Sequence, residues 1–413
     1  MADIRPFKAI RPKKGLEQRI AALPYDVYNR EEAKQEVEKE PLSFLRIDRA
    51  ETQFTDDVDA YADIVYEKAH DLLWEMIENG EMEEEEAECY YVYELVMDGR
   101  SQTGIAACAS VDDYLHGEIK KHENTREEKE LDRIRHVDIC QAQTGPIFLA
   151  YRSHPAICKE TRKAKAKEPL YDFAASDGIV HRVWKIDDAG AVERIKQAFR
   201  EAGNIYIADG HHRCASAVKV SLKRRDANPG YTGEEEFNYF LSVLFPDDQL
   251  MIMDYNRVVK DLNGLSEEEF LGRVAETFFV EKMGRQPCRP KEKGCFGMYL
   301  QNSWYCLKEK ERARSGSMQP EKMLDVAVLQ DMLLEPVLGI KNPKTDKRID
   351  FVGGIRGLEE LERRVHTDAA VAFAMYPTSI SELFAVADAG RLMPPKSTWF
   401  EPKLRSGLFV HKI

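Results

Sequence analysis

Apolar positions along the chain switch between two periods, and the switches predict its elements. From Asp56 to Asn79 the residues Val58, Tyr61, Ile64, Val65, Ala69, Leu72, Leu73 and Met76 recur at helical spacing, and Gly80 ends the run. Cys89–Met97 and Ser101–Ser110 then read as two strands flanking Asp98-Gly99, a strong two-residue hairpin signal. Helical spacing returns over Glu127–Cys140 through Leu131, Ile134, Val137 and Ile139, and over Ala191–Ala202, which Gly203 closes. His181–Ile186 and Tyr239–Phe245 read as strands, and His181 reads as structural in that setting. A shorter charged helix is expected after Asn29, and Lys163–Lys167 reads as a basic connection. Later, helices over Glu267–Thr277 and Leu324–Leu334, with strands at Phe296–Leu300 and Ala370–Met375, describe further α+β structure.

The stretch Ile205–Cys214 carries the densest chemistry. Ile205, Tyr206, Ile207 and Ala208 make a short buried strand, Asp209-Gly210 a turn, and Ala215, Ala217 and Val218 open a helical pattern starting near His211. A helix start offers unpaired N–H groups and the positive end of its dipole, and Gly210 lets an anion approach the backbone. Arg213 adds a planar fork suited to phosphate oxygens. The plainer alternative is a capped helix with Asp209 as the cap. Asp209, His211, His212 and Arg213 within five positions are costly to crowd at a buried strand end unless they bind or react.

A second polar cluster, Glu118–Glu123, precedes the 127–140 helix, with Thr125 or Asn124 available as its cap. Lys121, His122 and Glu123 there would ordinarily be solvent decoration. In the tail, Pro394-Pro395 stops a helix, and Lys396-Ser397-Thr398-Trp399-Phe400 reads as extended chain. Gly353-Gly354-Ile355-Arg356-Gly357 lacks a following Lys-Ser/Thr and is a weak phosphate loop.

Composition changes the picture in three ways. At 413 residues the chain is too long for one ordinary core, so two or three domains are expected. A formal charge of −13 argues against a protein that coats nucleic acid. Eight cysteines without a Cys-x-x-Cys pair read as reduced thiols, and with no apolar run of membrane-spanning length or signal core the expectation is a cytoplasmic protein without membrane contact.

Asp209-Gly210-His211-His212-Arg213 resembles the phosphate-binding signature of the ParB/sulfiredoxin superfamily, specifically its free-serine kinase branch and the related family DUF1015. Pro24-Tyr25-Asp26-Val27, Lys121–Thr125, Thr144–Phe148 and the tail Met393–Lys403 are similar to DUF1015 as well, and that resemblance spans essentially the whole chain. Cys214 falls after Arg213, where a sulfiredoxin-like sulfur role is disfavoured. The resemblance implies an α+β fold with a ParB/sulfiredoxin-like nucleotide-binding core at 111–248, between an N-terminal α+β region at 1–110 and a C-terminal one at 249–413 whose tail returns to the active site. It implies a phosphotransferase acting on free L-serine or O-phosphoserine with ATP or ADP and Mg²⁺, its direction open. Glu123 would be the base, with Asp209 and His212 also catalytic. Gly210, His211, His212 and Arg213 would hold the nucleotide, Asp209 the metal, and His122, Lys396, Ser397 and Thr398 the substrate. A nucleotide hydrolase and a nucleotide-binding regulatory module are the alternatives.

Overall fold

A computed structural model of the chain describes residues 1–125, 127–310 and 319–413. They form two compact units, the first comprising Met1–Leu250 with Pro402–Ile413 and the second Met251–Glu401. Both mix helices and sheets, so the fold class is α+β.

The first unit is built on a nine-stranded sheet: β1 (Ile4–Arg5), β2 (Tyr90–Met97), β3 (Arg100–Ser110), β4 (Ile119–Lys120), β5 (Ile147–Tyr151), β6 (Tyr171–Ala174), β7 (Val180–Ile186), β8 (Ile205–Asp209) and β9 (Tyr239–Pro246). Its order is β4-β8-β5-β9-β3-β2-β7-β6, with β1 added to β3. β8 runs parallel to β4 and antiparallel to β5, while β9 runs parallel to β5. The β2–β3 hairpin turns at Asp98 (φ 51°) and Gly99 (φ 77°), both left-handed, as the Asp-Gly signal requires.

The expected boundary at 110 is not a division of the fold. β3 ends at Ser110 and pairs over Ile105–Ser110 with β9, deep in the expected core region, so hydrogen bonding joins the two stretches into one sheet. The tail also divides differently, since only residues from Pro402 onward belong with the first unit.

The longer helices of this unit are α1 (Arg30–Lys39), α2 (Asp63–Glu78), α3 (Val111–His116), α4 (Glu127–Cys140), α5 (Pro155–Lys165), α6 (Ala189–Glu201) and α7 (His211–Ala227), besides the single turns Glu17–Ile20 and Leu45–Asp48. Asn29 starts α1 with a reciprocal capping box to Glu32. α2 begins at Asp63, later than the pattern from Asp56 suggested, because Val58 and Tyr61 lie in turns before it. Lys163–Lys167 is not a linker: its first residues form the last turn of α5, where cations favour the negative helix end. Apolar cores form on these elements, two of which frame the site. One packs β1–β5 and β7–β9 against α5, α6 and α7 through residues such as Leu149, Ile157, Phe199, Ile207 and Val218. The other joins the N-terminal helices through Ile47, Val65, Leu72, Leu73 and Met76, and reaches Cys140 of α4 and Val410 of the tail.

The second unit carries a six-stranded sheet of β10 (Tyr255–Val259), β11 (Phe278–Gly284), β12 (Cys295–Leu300), β13 (Ser303–Glu309), β14 (Ile349–Gly353) and β15 (Val371–Ala374), ordered β11-β13-β12-β15-β10-β14. Helices α8 (Glu267–Thr277), α9 (Gly357–Thr367) and α10 (Ile380–Asp388) accompany it. The run expected as one helix over 324–334 is an α-helix only to Leu329, after which Gln330–Leu334 widens to π geometry.

Candidate functional site

β8 delivers Asp209 to the end of the sheet, and Gly210 turns the chain left-handed (φ 88°, ψ 29°) into α7. A residue with a side chain adopts that conformation at a cost, which is why glycine stands there. Cys214 N–H closes the first helical bond to Gly210 at 2.9 Å, so the N–H groups of His211, His212 and Arg213 are the ones this helix does not itself satisfy.

Asp209 is held from two sides. Its Oδ1 accepts the Gly210 N–H at 2.8 Å and its Oδ2 accepts from Lys403 Nζ at 3.0 Å. Burial pushes this carboxyl up, but Lys403 and Arg213 outweigh it and hold Asp209 well below the usual carboxylate range. It is therefore an anion at neutral pH. Lys403 is the partner that pattern reading missed: it stands inside the tail motif, 194 positions away, with no periodicity to mark it.

The Arg213 guanidinium lies over Gly210, where a Cβ would sit 3.1 Å from Nη2. Its Nη1 donates to the Pro146 carbonyl at 2.6 Å, and Gly145 passes close by, its Cβ position 3.4 Å from Nη1 and 3.2 Å from Ser406 Oγ. The Thr144–Phe148 and Asp209–Arg213 motifs thus meet through one arginine. Its fork is partly committed to the neighbouring turn.

The two histidines of the loop differ. His211 is buried, and its ring meets His122 edge-to-face at 4.5 Å. Among the described residues, His122 Nδ1 and His211 Nε2 are buried without a hydrogen-bond partner. Burial lowers both pKa values, His122 to about 4 against the opposing pull of Asp209, and His211 well below its usual value with His122 adding to the shift. Both rings are neutral at pH 7. His212 is half-buried, accepts the Ser216 hydroxyl on its carbonyl at 2.8 Å, and interacts electrostatically with Glu130 of α4. Glu123 is half-buried in the loop between β4 and α4, one position beyond His122. The Thr125 hydroxyl donates to the Glu130 carboxylate, itself paired with Lys219.

A small cavity opens beside this loop, and a larger one shares part of its lining. The smaller, about 30 Å³, is lined by Arg213, Gly145, Thr144 and Ser406 together with Tyr25, Asp48, Arg133 and His136. The larger, about 200 Å³, shares those last four residues and extends along α2 and α4 past Tyr28, Arg49, Tyr61, Tyr66 and Asp132. Pro24–Val27 therefore contributes Tyr25 to both.

Among the described residues no group of three His, Cys, Asp or Glu side chains could hold a metal ion. Each Asp209 oxygen accepts one hydrogen bond, and Asp209 is the one carboxylate of the 209–213 loop. The eight cysteines are free thiols; burial pushes that of Cys214 up, which makes it unreactive.

Lys396, Ser397 and Thr398 belong to the second unit. Ser397 is buried and its hydroxyl donates to the Pro394 carbonyl at 2.6 Å, while its own carbonyl accepts from Thr378 at 2.9 Å. It braces its own turn instead of presenting a free donor. Lys396 is left-handed (φ 56°) and exposed, its ammonium 5.5 Å from the Tyr255 ring centre; Thr398 is half-buried. Extended pairing is limited to Trp399–Phe400, against Ile252–Met253.

Among solved structures the chain is similar to a free serine kinase mutant in complex with ADP (15% identity over 74% of this chain and 92% of that one, TM-score 0.35). It is also similar to SbnI with C-terminal truncation from Staphylococcus aureus (12%, 74% and 86%, TM-score 0.37) and to a conserved hypothetical protein from Pyrococcus furiosus (15%, 74% and 94%, TM-score 0.34). Likeness at these scores carries no argument about function. No curated protein matches the chain. The model of the family described as protein of unknown function (DUF1015) matches residues 4–327, and the chain belongs to that family.

Proposed function

We propose that the first unit binds a nucleotide, ATP or ADP, through its phosphates at the β8–Gly210–α7 junction and moves a phosphoryl group between that nucleotide and the side-chain oxygen of a small acceptor, free L-serine by resemblance, with O-phosphoserine as its phosphorylated form and the direction open. The observation that carries the reading is the left-handed Gly210 opening the long helix α7 with Arg213 folded over it. Helix N–H groups, Arg213 and Lys403 gather positive character at one backbone turn, where phosphate oxygens bind well. Asp209 fixes Lys403 there by its ion pair.

Phosphoryl transfer needs positioning and charge neutralisation more than covalent help from the protein. Arg213 and the first-turn N–H groups neutralise, and Glu123 accepts the acceptor's hydroxyl proton as the new P–O bond forms and the terminal phosphoanhydride P–O bond of the nucleotide breaks, the shortened nucleotide leaving with the bonding electrons. The neutral His122–His211 pair beside the junction offers ring nitrogens as donor or acceptor without adding charge.

A second reading, a nucleotide-binding module without chemistry, is favoured by the Asp209–Lys403 pair, which ties up a carboxylate that a catalyst would keep available. Phosphoserine measured by mass spectrometry across ATP, ADP and Mg²⁺ separates the readings. The proposal expects phosphoserine made or consumed with matching nucleotide conversion. Nucleotide loss that ignores serine means a hydrolase, and binding with no turnover means the module.

A further inference from the structure

The larger cavity of the first unit lies among the N-terminal helices and α4, and its walls combine charges of both signs with aromatic rings. Arg133 of α4 is its key residue. It is only 7% exposed, its guanidinium stacks 4.0 Å from the Tyr25 ring centre, and its one hydrogen bond among the described residues runs from Nε to Asp132 at 2.9 Å. Two terminal nitrogens, held by stacking in a fixed plane, are left on the cavity wall without an acceptor among the described residues. A buried arginine in that state is a receptor for a planar oxyanion.

Asp48 shapes the other pole. It is 4% exposed, and among the described residues Thr144 Oγ1 is its one side-chain hydrogen-bond donor, at 2.7 Å to Oδ1. Asp132 pairs with Arg133 and Glu51 with Arg49, Lys129 and Asp26 also line the cavity, and Asp48 is a buried carboxylate facing it that makes no ion pair among the described residues, with Arg133 in electrostatic range. An anion alone would be repelled by Asp48, and a cation alone would leave Arg133 unused. Tyr61 at the half-exposed rim and Tyr66 within add aromatic surface. A volume of about 200 Å³ exceeds by far the roughly 10–15 Å³ that one water needs.

We propose that this cavity is a binding site for a zwitterionic small molecule, an α-amino acid with a bulky apolar or aromatic side chain, its carboxylate on Arg133 and its ammonium toward Asp48. The site is separate from the proposed phosphate junction and does not depend on it: a ligand can occupy it whether or not the 209–213 loop takes a nucleotide. The smaller cavity, which shares Tyr25, Asp48 and Arg133 and ends at Arg213, places the two sites next to each other.

Calorimetry on the full chain, without nucleotide, tests it with four probes: L-phenylalanine, 3-phenylpropionate lacking the ammonium, phenethylamine lacking the carboxylate, and L-serine. L-phenylalanine is expected to bind tightest, with loss of either charged group weakening binding by about tenfold or more. Arg133→Met should erase the advantage of the carboxylate. Because Arg133 is buried, Tyr61→Lys at the rim is the companion variant, expected to keep the fold and weaken L-phenylalanine. No binding by any probe, equal binding of the three phenyl compounds, serine as tight as phenylalanine, or unchanged affinity in both variants would overturn the proposal.

Discussion

At the scale of single residues, the chemistry of the candidate site rests on which charges are already answered. Asp209, expected to hold a metal, is answered by Lys403 and its own turn, and Arg213 gives one arm to Pro146. Glu123 is the residue whose proposed role is most exposed to test. Glu123→Gln keeps the shape and removes the base, so turnover should fall by about 10²–10⁴-fold with nucleotide affinity preserved. Steady-state rates alongside binding measurements check this, and a near-normal rate would move the base elsewhere. The sequence made Asp209, His211 and Arg213 legible because they are contiguous and end an apolar run. Lys403, Arg133 and Asp48 were not legible as partners, since each is an ordinary charged residue whose meaning comes from neighbours far away along the chain.

At the scale of elements, local signals succeeded where geometry is set by a few adjacent residues. Asp98-Gly99 makes its left-handed turn, Asn29 and Glu32 close their capping box, and α7 starts at His211. Helix α3 escaped notice although Ser110 caps it and Gly117 ends it left-handed, because its few residues carry no apolar period. Helix α5 was hidden by its basic last turn, despite Pro155 at its start. The β8–Gly210–α7 junction yields the sharpest element-scale prediction. Gly210→Ala must adopt φ 88° and place a methyl about 3.1 Å from Arg213, so stability should drop by about 1–2 kcal/mol from the left-handed strain alone, with nucleotide affinity falling as Arg213 is displaced. Denaturant melts and calorimetry read the two effects, and a variant with unchanged stability would show that the turn is not constrained as described.

At the scale of the whole molecule, parallel and antiparallel pairing across distant segments set the sheet order, which no local pattern encodes; the expected boundary at 110 failed for that reason. Burial of histidine is another property of the whole. His122 is lowered to about 4 and His181 to about 3, with His136 and His211 also lowered, each chiefly by desolvation. A histidine whose folded pKa lies below its unfolded value of about 6.5 binds protons preferentially when unfolded, so stability is intact above 6.5 and is lost as pH falls toward 4. Asp113, pushed up to about 6 by burial, works in the opposite sense, one group against four. The melting temperature should therefore fall steadily between pH 6.5 and 4, and a flat profile there would contradict the burial of these rings. The central claim, that the first unit takes nucleotide phosphate at the Gly210 junction, is tested most directly by titrating ATP and ADP into the whole protein and its Arg213→Ala variant. The account predicts measurable binding that weakens by about 1.5–3 kcal/mol in a variant that still melts cooperatively. Equal affinity in the two proteins would contradict it.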